Sequence, residues 1–112
     1  MPISTSKKKK LGSQIKKQRT NEKKTLRKVA TECEISPASL SDIENGIIFP
    51  GEVTFLRLIK ILNFANESEI CDLYAELKET APPDVIDFLI KNKAAIAEVR
   101  QLMNKEKEVM NQ

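Results

Sequence analysis

The amino-acid sequence predicts an all-α fold, and three observations carry that expectation. Aromatic residues make up 4% of the 112 and Trp is absent, so a core must rest on Leu, Ile, Val and Ala. Gly occurs three times. No stretch sustains the period-two alternation of a half-buried strand, whereas apolar residues recur at spacings of three and four along most of the chain. The length suits one domain with a modest core and a small appendage.

Residues 1 to about 8 read as unstructured, the main part of a flexible basic arm over 1–10. Ser13 to Arg19 reads as a first helix, with Leu11 and Ile15 four apart on one face. Asn21 to Lys24 is a polar link. Thr25 is a good N-cap, because its hydroxyl can accept an orphan backbone N–H. A second helix then presents Leu26, Val29, Ala30 and Cys33 as an apolar stripe. Glu34-Ile35 form a turn. Ser36 caps a third helix and Pro37 takes its first position, where a missing N–H costs nothing. Leu40 and Ile43 are its inward residues, and Gly46 is the expected left-handed terminator. Two short helices joined by a tight turn, the second projecting small polar side chains, form a shape suited to the DNA major groove.

Ile47 to Gly51 reads as a loop stiffened by Pro50. Glu52 to Leu62 is apolar over most of its circumference and belongs at the centre of the core. Asn66 starts a fifth helix, with Glu67 and Glu69 near its positive end and Ile70, Leu73, Tyr74 and Leu77 as its buried stripe. Pro82-Pro83 marks a boundary. Asp84 to Ile90 and Ala94 to about Lys105 read as two further helices, or one bent at Asn92. Their apolar residues are Val85, Ile86, Leu89 and Ile90, then Ile96, Val99, Leu102 and Met103. Asn104 to Gln112 is polar and expected to fray.

The charge is two-ended. Residues 1–28 hold eleven Lys/Arg and one acid, a net of +10. Residues 29–112 hold eight Lys/Arg and fifteen acids, a net of −7. A basic end beside a helix-turn-helix suits phosphate contact through counterion release; for Lys7 to Lys10 alone, a solvated tail is the equal alternative. No apolar run approaches the ~20 residues of a membrane span, and no apolar segment follows the N-terminal lysines as a signal peptide requires. Cys33 and Cys71 lie far apart with no CxxC and no His, so they read as reduced thiols of a cytoplasmic protein, not as a metal site. There is no His, Gly-rich phosphate loop or paired carboxylate suited to catalysis, so no enzyme and no cofactor is expected.

These residues together resemble the Cro/C1-type (XRE family) helix-turn-helix of bacterial and phage repressors. The resemblance runs from about Leu11 to Tyr74. Its marks are Ile15 and Arg19, the T-L-R-x-V-A from Thr25, the I-S-P-A-S-L-S-x-I-E-N-G from Ile35 to Gly46, Pro50, and the leucine rhythm through Leu62. It implies a five-helix lambda-repressor-like DNA-binding domain over 11–78, its motif at 25–46, with one or two extra helices in the extension 79–112. It also implies a partly buried ion pair between Arg19 and Glu44. By position, Pro37, Ala38, Ser39, Ser41 and Asp42 face the groove, and Thr25, Leu26, Lys28, Ser36 and Asn45 face the DNA backbone. The reading chemistry is sparse: Pro37 and Ala38 offer a thymine methyl contact, Ser39 and Ser41 a hydrogen bond, and Asp42 an acceptor for a cytosine amino group. DNA shape then contributes to discrimination.

Three departures from the family pattern stand out. Leu26 replaces a common phosphate-gripping Gln. Glu34 stands where Gly commonly makes the turn, which points to a strained left-handed residue. Ile47, Ile48 and Phe49 occupy a loop that is usually polar or basic, and suit packing or a dimer better than DNA. The extension after Pro82 has three open uses: intrachain packing, homodimerisation through residues such as Val85, Leu89, Ile96 and Val99, or a dock for another protein. The expected function is a sequence-specific double-stranded DNA-binding regulator, most simply a dimeric repressor that pairs half-sites. The alternative is a protein-interaction adaptor or antitoxin-type partner that reuses the fold.

Overall fold

The computed structural model describes residues 3–110, and the side chains of residues 3–108. Among these residues the chain forms seven α-helices and no strand. They are α1 (Thr5–Asn21), α2 (Leu26–Glu32), α3 (Pro37–Glu44), α4 (Glu52–Leu62), α5 (Glu67–Lys78), α6 (Pro83–Lys91) and α7 (Lys93–Met110). The expected behaviour of Met1, Pro2, Asn111 and Gln112 lies outside the described residues. The all-α expectation with extra C-terminal helices holds.

One core joins the first five helices. Leu11 and Ile15 of α1, Val29 and Ala30 of α2, Leu40 and Ile43 of α3 and Phe55, Leu58, Ile59 and Leu62 of α4 are buried with Ile70, Cys71, Tyr74 and Leu77 of α5. Each large apolar side chain taken from water contributes roughly 1.5–3 kcal/mol. α4 takes the central place expected of it, but Val53 in its first turn is 64% exposed.

α1 is longer than its periodicity announces. Helix was expected from Ser13; it begins at Thr5, so Lys7 to Lys10 are helical and not a flexible arm. The Ser4 hydroxyl accepts from the Lys7 N–H at 3.3 Å as an N-cap. Lysine is a fair helix former, and the added turns have a surface to lie on. The α1–α3 crossing is close because two glycines sit in it. A Cβ on Gly12 would collide with the Ile43 carbonyl oxygen and come 2.7 Å from that of Glu44. A Cβ on Gly46 would strike Lys9, 2.8 Å from its Cα.

Helix ends are closed largely without glycine. Lys23, Glu34, Asn63 and Glu79 take φ between 51° and 62°, a region that costs most side chains energy. The C-terminal carbonyls of α4 are instead held from outside. Gln18 Nε2 donates to the Leu62 and Asn63 carbonyls at 2.8 and 3.1 Å, and Lys24 Nζ to that of Ile61 at 2.6 Å.

Asn92 separates α6 from α7: its side chain donates to the Phe88 carbonyl at 2.9 Å, and its own carbonyl accepts from Ala95 at 3.1 Å. α6 packs on α5 and α4, and α7 packs on α6. Together they draw the molecule out to 55 × 28 × 22 Å. α7 runs to Met110, beyond the expected end near Lys105.

Candidate nucleic-acid interface

Local chemistry builds the helix-turn-helix before packing fixes its angle. The Thr25 hydroxyl accepts from the Lys28 N–H at 3.1 Å and starts α2. The Ser36 hydroxyl accepts from the Ser39 N–H at 3.0 Å and starts α3, with Pro37 in the first turn. At the other end Ile47 N–H donates to the Asp42 carbonyl at 2.8 Å and Gly46 N–H to that of Ile43 at 3.2 Å. Gly46 has φ +76°, and these two bonds make a Schellman stop. Val29, Ala30, Leu40 and Ile43 are buried, as their inward spacing led one to expect.

α3 is sharply two-sided. Leu40, Ile43 and Glu44 face inward. Pro37 and Ala38 are exposed, and Ser39, Ser41 and Asp42 are half-buried at the surface, so the structure brings all five proposed base readers to the outer side. Their polar groups are partly occupied. Ser36 and Ser39 hydroxyls lie 2.9 Å apart, and Asn45 Nδ2 donates to the Ser41 hydroxyl at 3.3 Å. A hydroxyl keeps spare capacity in such a pair, but its direction is set. Among the proposed backbone residues, Thr25, Lys28, Ser36 and Asn45 are exposed. The Leu26 side chain packs against the core, in keeping with its place in the apolar stripe of α2, and it is the main chain of this residue that lies at the helix start.

Arg19 and Glu44 meet as the family resemblance implied. Nε donates to Oε2 at 2.7 Å and Nη2 to Oε1 at 3.0 Å, while Nη1 donates to the Lys24 carbonyl at 2.9 Å. The side chains are 13% and 3% exposed. The bond to Glu44 raises the Arg19 pKa further above its ordinary value, against the opposing effect of burial. Arg19 therefore braces α1, the α1–α2 link and α3, with its guanidinium engaged inside the chain.

The apolar loop divides. The Phe49 ring lies tilted 4.9 Å from the Tyr74 ring, Tyr74 stacks on Phe55 at 4.3 Å, and the Tyr74 hydroxyl donates to the Pro50 carbonyl at 2.8 Å. Phe49 thus packs within the chain. Ile47 and Ile48 stay 62% and 41% exposed. Glu34 is left-handed at φ 62°, as the missing glycine led one to expect, and pairs with Arg57 at 3.0 Å. Both cysteines are free and buried. Burial pushes the Cys71 thiol up to about 11 and raises that of Cys33, so neither is a ready thiolate.

Gln18 and Lys24 carry structural roles that spacing could not reveal, since their acceptors lie some forty residues away. Lys8 is another surprise: its Nζ reaches the Ile47 carbonyl at 3.4 Å. The signal for it was Ser4, an N-cap three residues before Lys7.

A two-helix unit with a capped, two-sided second helix is a helix-turn-helix. The family model described as Helix-turn-helix domain matches residues 10–73, more than half of the chain, and the chain belongs to that family. No curated protein and no solved structure matches it. Among the described residues, no helix is long and apolar enough to cross a membrane.

Proposed function

We propose that the chain is a Cro/C1-type transcriptional regulator that binds double-stranded DNA sequence-specifically, most simply as a dimeric repressor with α3 in the major groove. The observation that carries this reading is the outer side of α3, where Pro37, Ala38, Ser39, Ser41 and Asp42 stand together on a helix locked by its inner side. Asp42 makes no side-chain hydrogen bond within the chain among the described residues. That leaves its carboxylate free to accept from a cytosine amino group.

The dimer is proposed through the C-terminal helices. Val85, Phe88, Ile90, Val99, Leu102 and Met103 are between 39% and 71% exposed, while Leu89 and Ile96 are half-buried. The exposed six present on the order of 600 Å² per chain, so a two-fold pair would bury about the lower limit of a stable interface. Exposed Ile47, Ile48 and Val53 favour the second reading, a protein-docking adaptor that uses this fold without DNA.

Selection from random duplexes tests both. A regulator enriches a motif of two related half-sites, and Asp42→Ala relaxes the preference at one base pair in each. Binding that neither enriches a motif nor weakens with salt would rule the regulator out and leave the adaptor.

A further inference from the structure

The lysine-rich start of α1 precedes residue 10, where the family match begins, yet it is ordered against the recognition unit. Its backbone rests on Gly46, so closely that a Cβ there would strike Lys9. Lys8 Nζ lies at the Ile47 carbonyl. The turn itself, Asn45 to Gly51, contains no Lys or Arg. α3 has eight residues, so it is about 12 Å long, close to the ~12 Å width of the major groove. A turn that ends such a helix meets the groove wall, where phosphates are densest. An apolar turn there has nothing to neutralise them.

We propose that the first turns of α1 form a built-in phosphate clamp. Lys8 and Lys9 supply the positive charge for the DNA strand that passes the α3–α4 turn. The ligand is the phosphodiester backbone of duplex DNA, and the proposal rests on the DNA-binding reading above. Lys8 spends one of its three N–H donors on Ile47 and keeps two. Because the segment is already helical, much of the ordering entropy that a loose lysine tail loses on binding is absent. Lys10 belongs to the same run but not to the clamp. It turns with Lys17 into the groove between α1 and α5, beside Phe64 and Asn66.

That divergence provides the test. Lys8→Gln/Lys9→Gln and Lys10→Gln/Lys17→Gln remove equal charge from one helix with little change in helix propensity. Binding to a selected duplex is measured from 50 to 200 mM salt, with the thermal midpoint as the folding check. The first pair lowers the salt slope by about 0.9 per lost phosphate contact, so its affinity loss over that range shrinks roughly tenfold. The second pair changes the slope by less than half as much. Equal slopes for both pairs, or a wild-type slope for the first, overturn the clamp while DNA binding stands. A wild-type chain that shows no salt-dependent duplex binding overturns the DNA-binding reading and the clamp with it.

Discussion

The Glu44 side chain is 3% exposed beside Arg19, and truncating Arg19 to Ala removes both of its guanidinium donors. The Lys24 carbonyl loses its donor too. Breaking one side of a buried pair costs about 3–5 kcal/mol, a large part of the ~5–15 kcal/mol that holds a domain folded. For a chain near 100 residues each kcal/mol moves the midpoint by ~4–8 °C, so the expected fall is roughly 20 °C. Thermal and urea unfolding followed by far-UV circular dichroism measure it. DNA affinity is then compared well below the midpoint, where the folded fraction should bind within a fewfold of wild type. Replacing both partners by apolar residues, Arg19→Met with Glu44→Leu, should recover at least half of the loss, since the unpaired charge disappears. A wild-type midpoint with abolished binding would make Arg19 a DNA contact, and a double variant as unstable as Arg19→Ala would refute the buried-charge account.

Other outcomes can be stated briefly. Glu34→Gly removes about 1–2 kcal/mol of left-handed strain against ~0.5–1 of added chain entropy and an exposed ion pair worth little. Stability should hold or rise by up to ~1 kcal/mol in urea titration, and a loss above that would contradict the strain. Cys71 has a folded pKa of about 11 against an ordinary 9.0. Its contribution is present below pH 9 and is lost as pH rises through 11, because only the unfolded chain ionises freely in that window. Alkaline unfolding should therefore ease for wild type by about 2 kcal/mol more than for Cys71→Ala, whereas parallel pH profiles would discount the burial. Phe88→Glu with Leu102→Glu, at positions 57% and 64% exposed, should leave helicity intact and convert a sedimenting dimer to monomer. An unchanged sedimentation coefficient would move the dimer contact elsewhere.

The unit at the interface was legible because its signals are local. Thr25, Ser36-Pro37 and Gly46 are caps whose chemistry acts within four residues, and Leu40 and Ile43 announce a buried stripe by spacing alone. Glu34 was legible in reverse, as a side chain where the backbone needs a positive φ. The extent of α1 was not. Leu11 and Ile15 mark its core-facing half, but four consecutive lysines have no periodicity, and their order depends on Gly46 and Ile47, which are remote in sequence. Leu26 was legible as the first residue of the apolar stripe of α2, and its side chain packs against the core.

The sequence by itself determined how many helices form and in what order, the turn between α2 and α3 and the side of α3 that faces out, because hydrogen-bond caps and apolar spacing are properties of a few neighbouring residues. Only the tertiary structure decided what braces them. Arg19 had to meet Glu44, Gln18 and Lys24 had to reach the end of α4, Phe49 had to fold onto Tyr74, and the lysines of α1 had to settle beside the turn after α3. Each joins residues 25 to 45 positions apart. Such contacts arise from how packed helices cross, which no local pattern encodes.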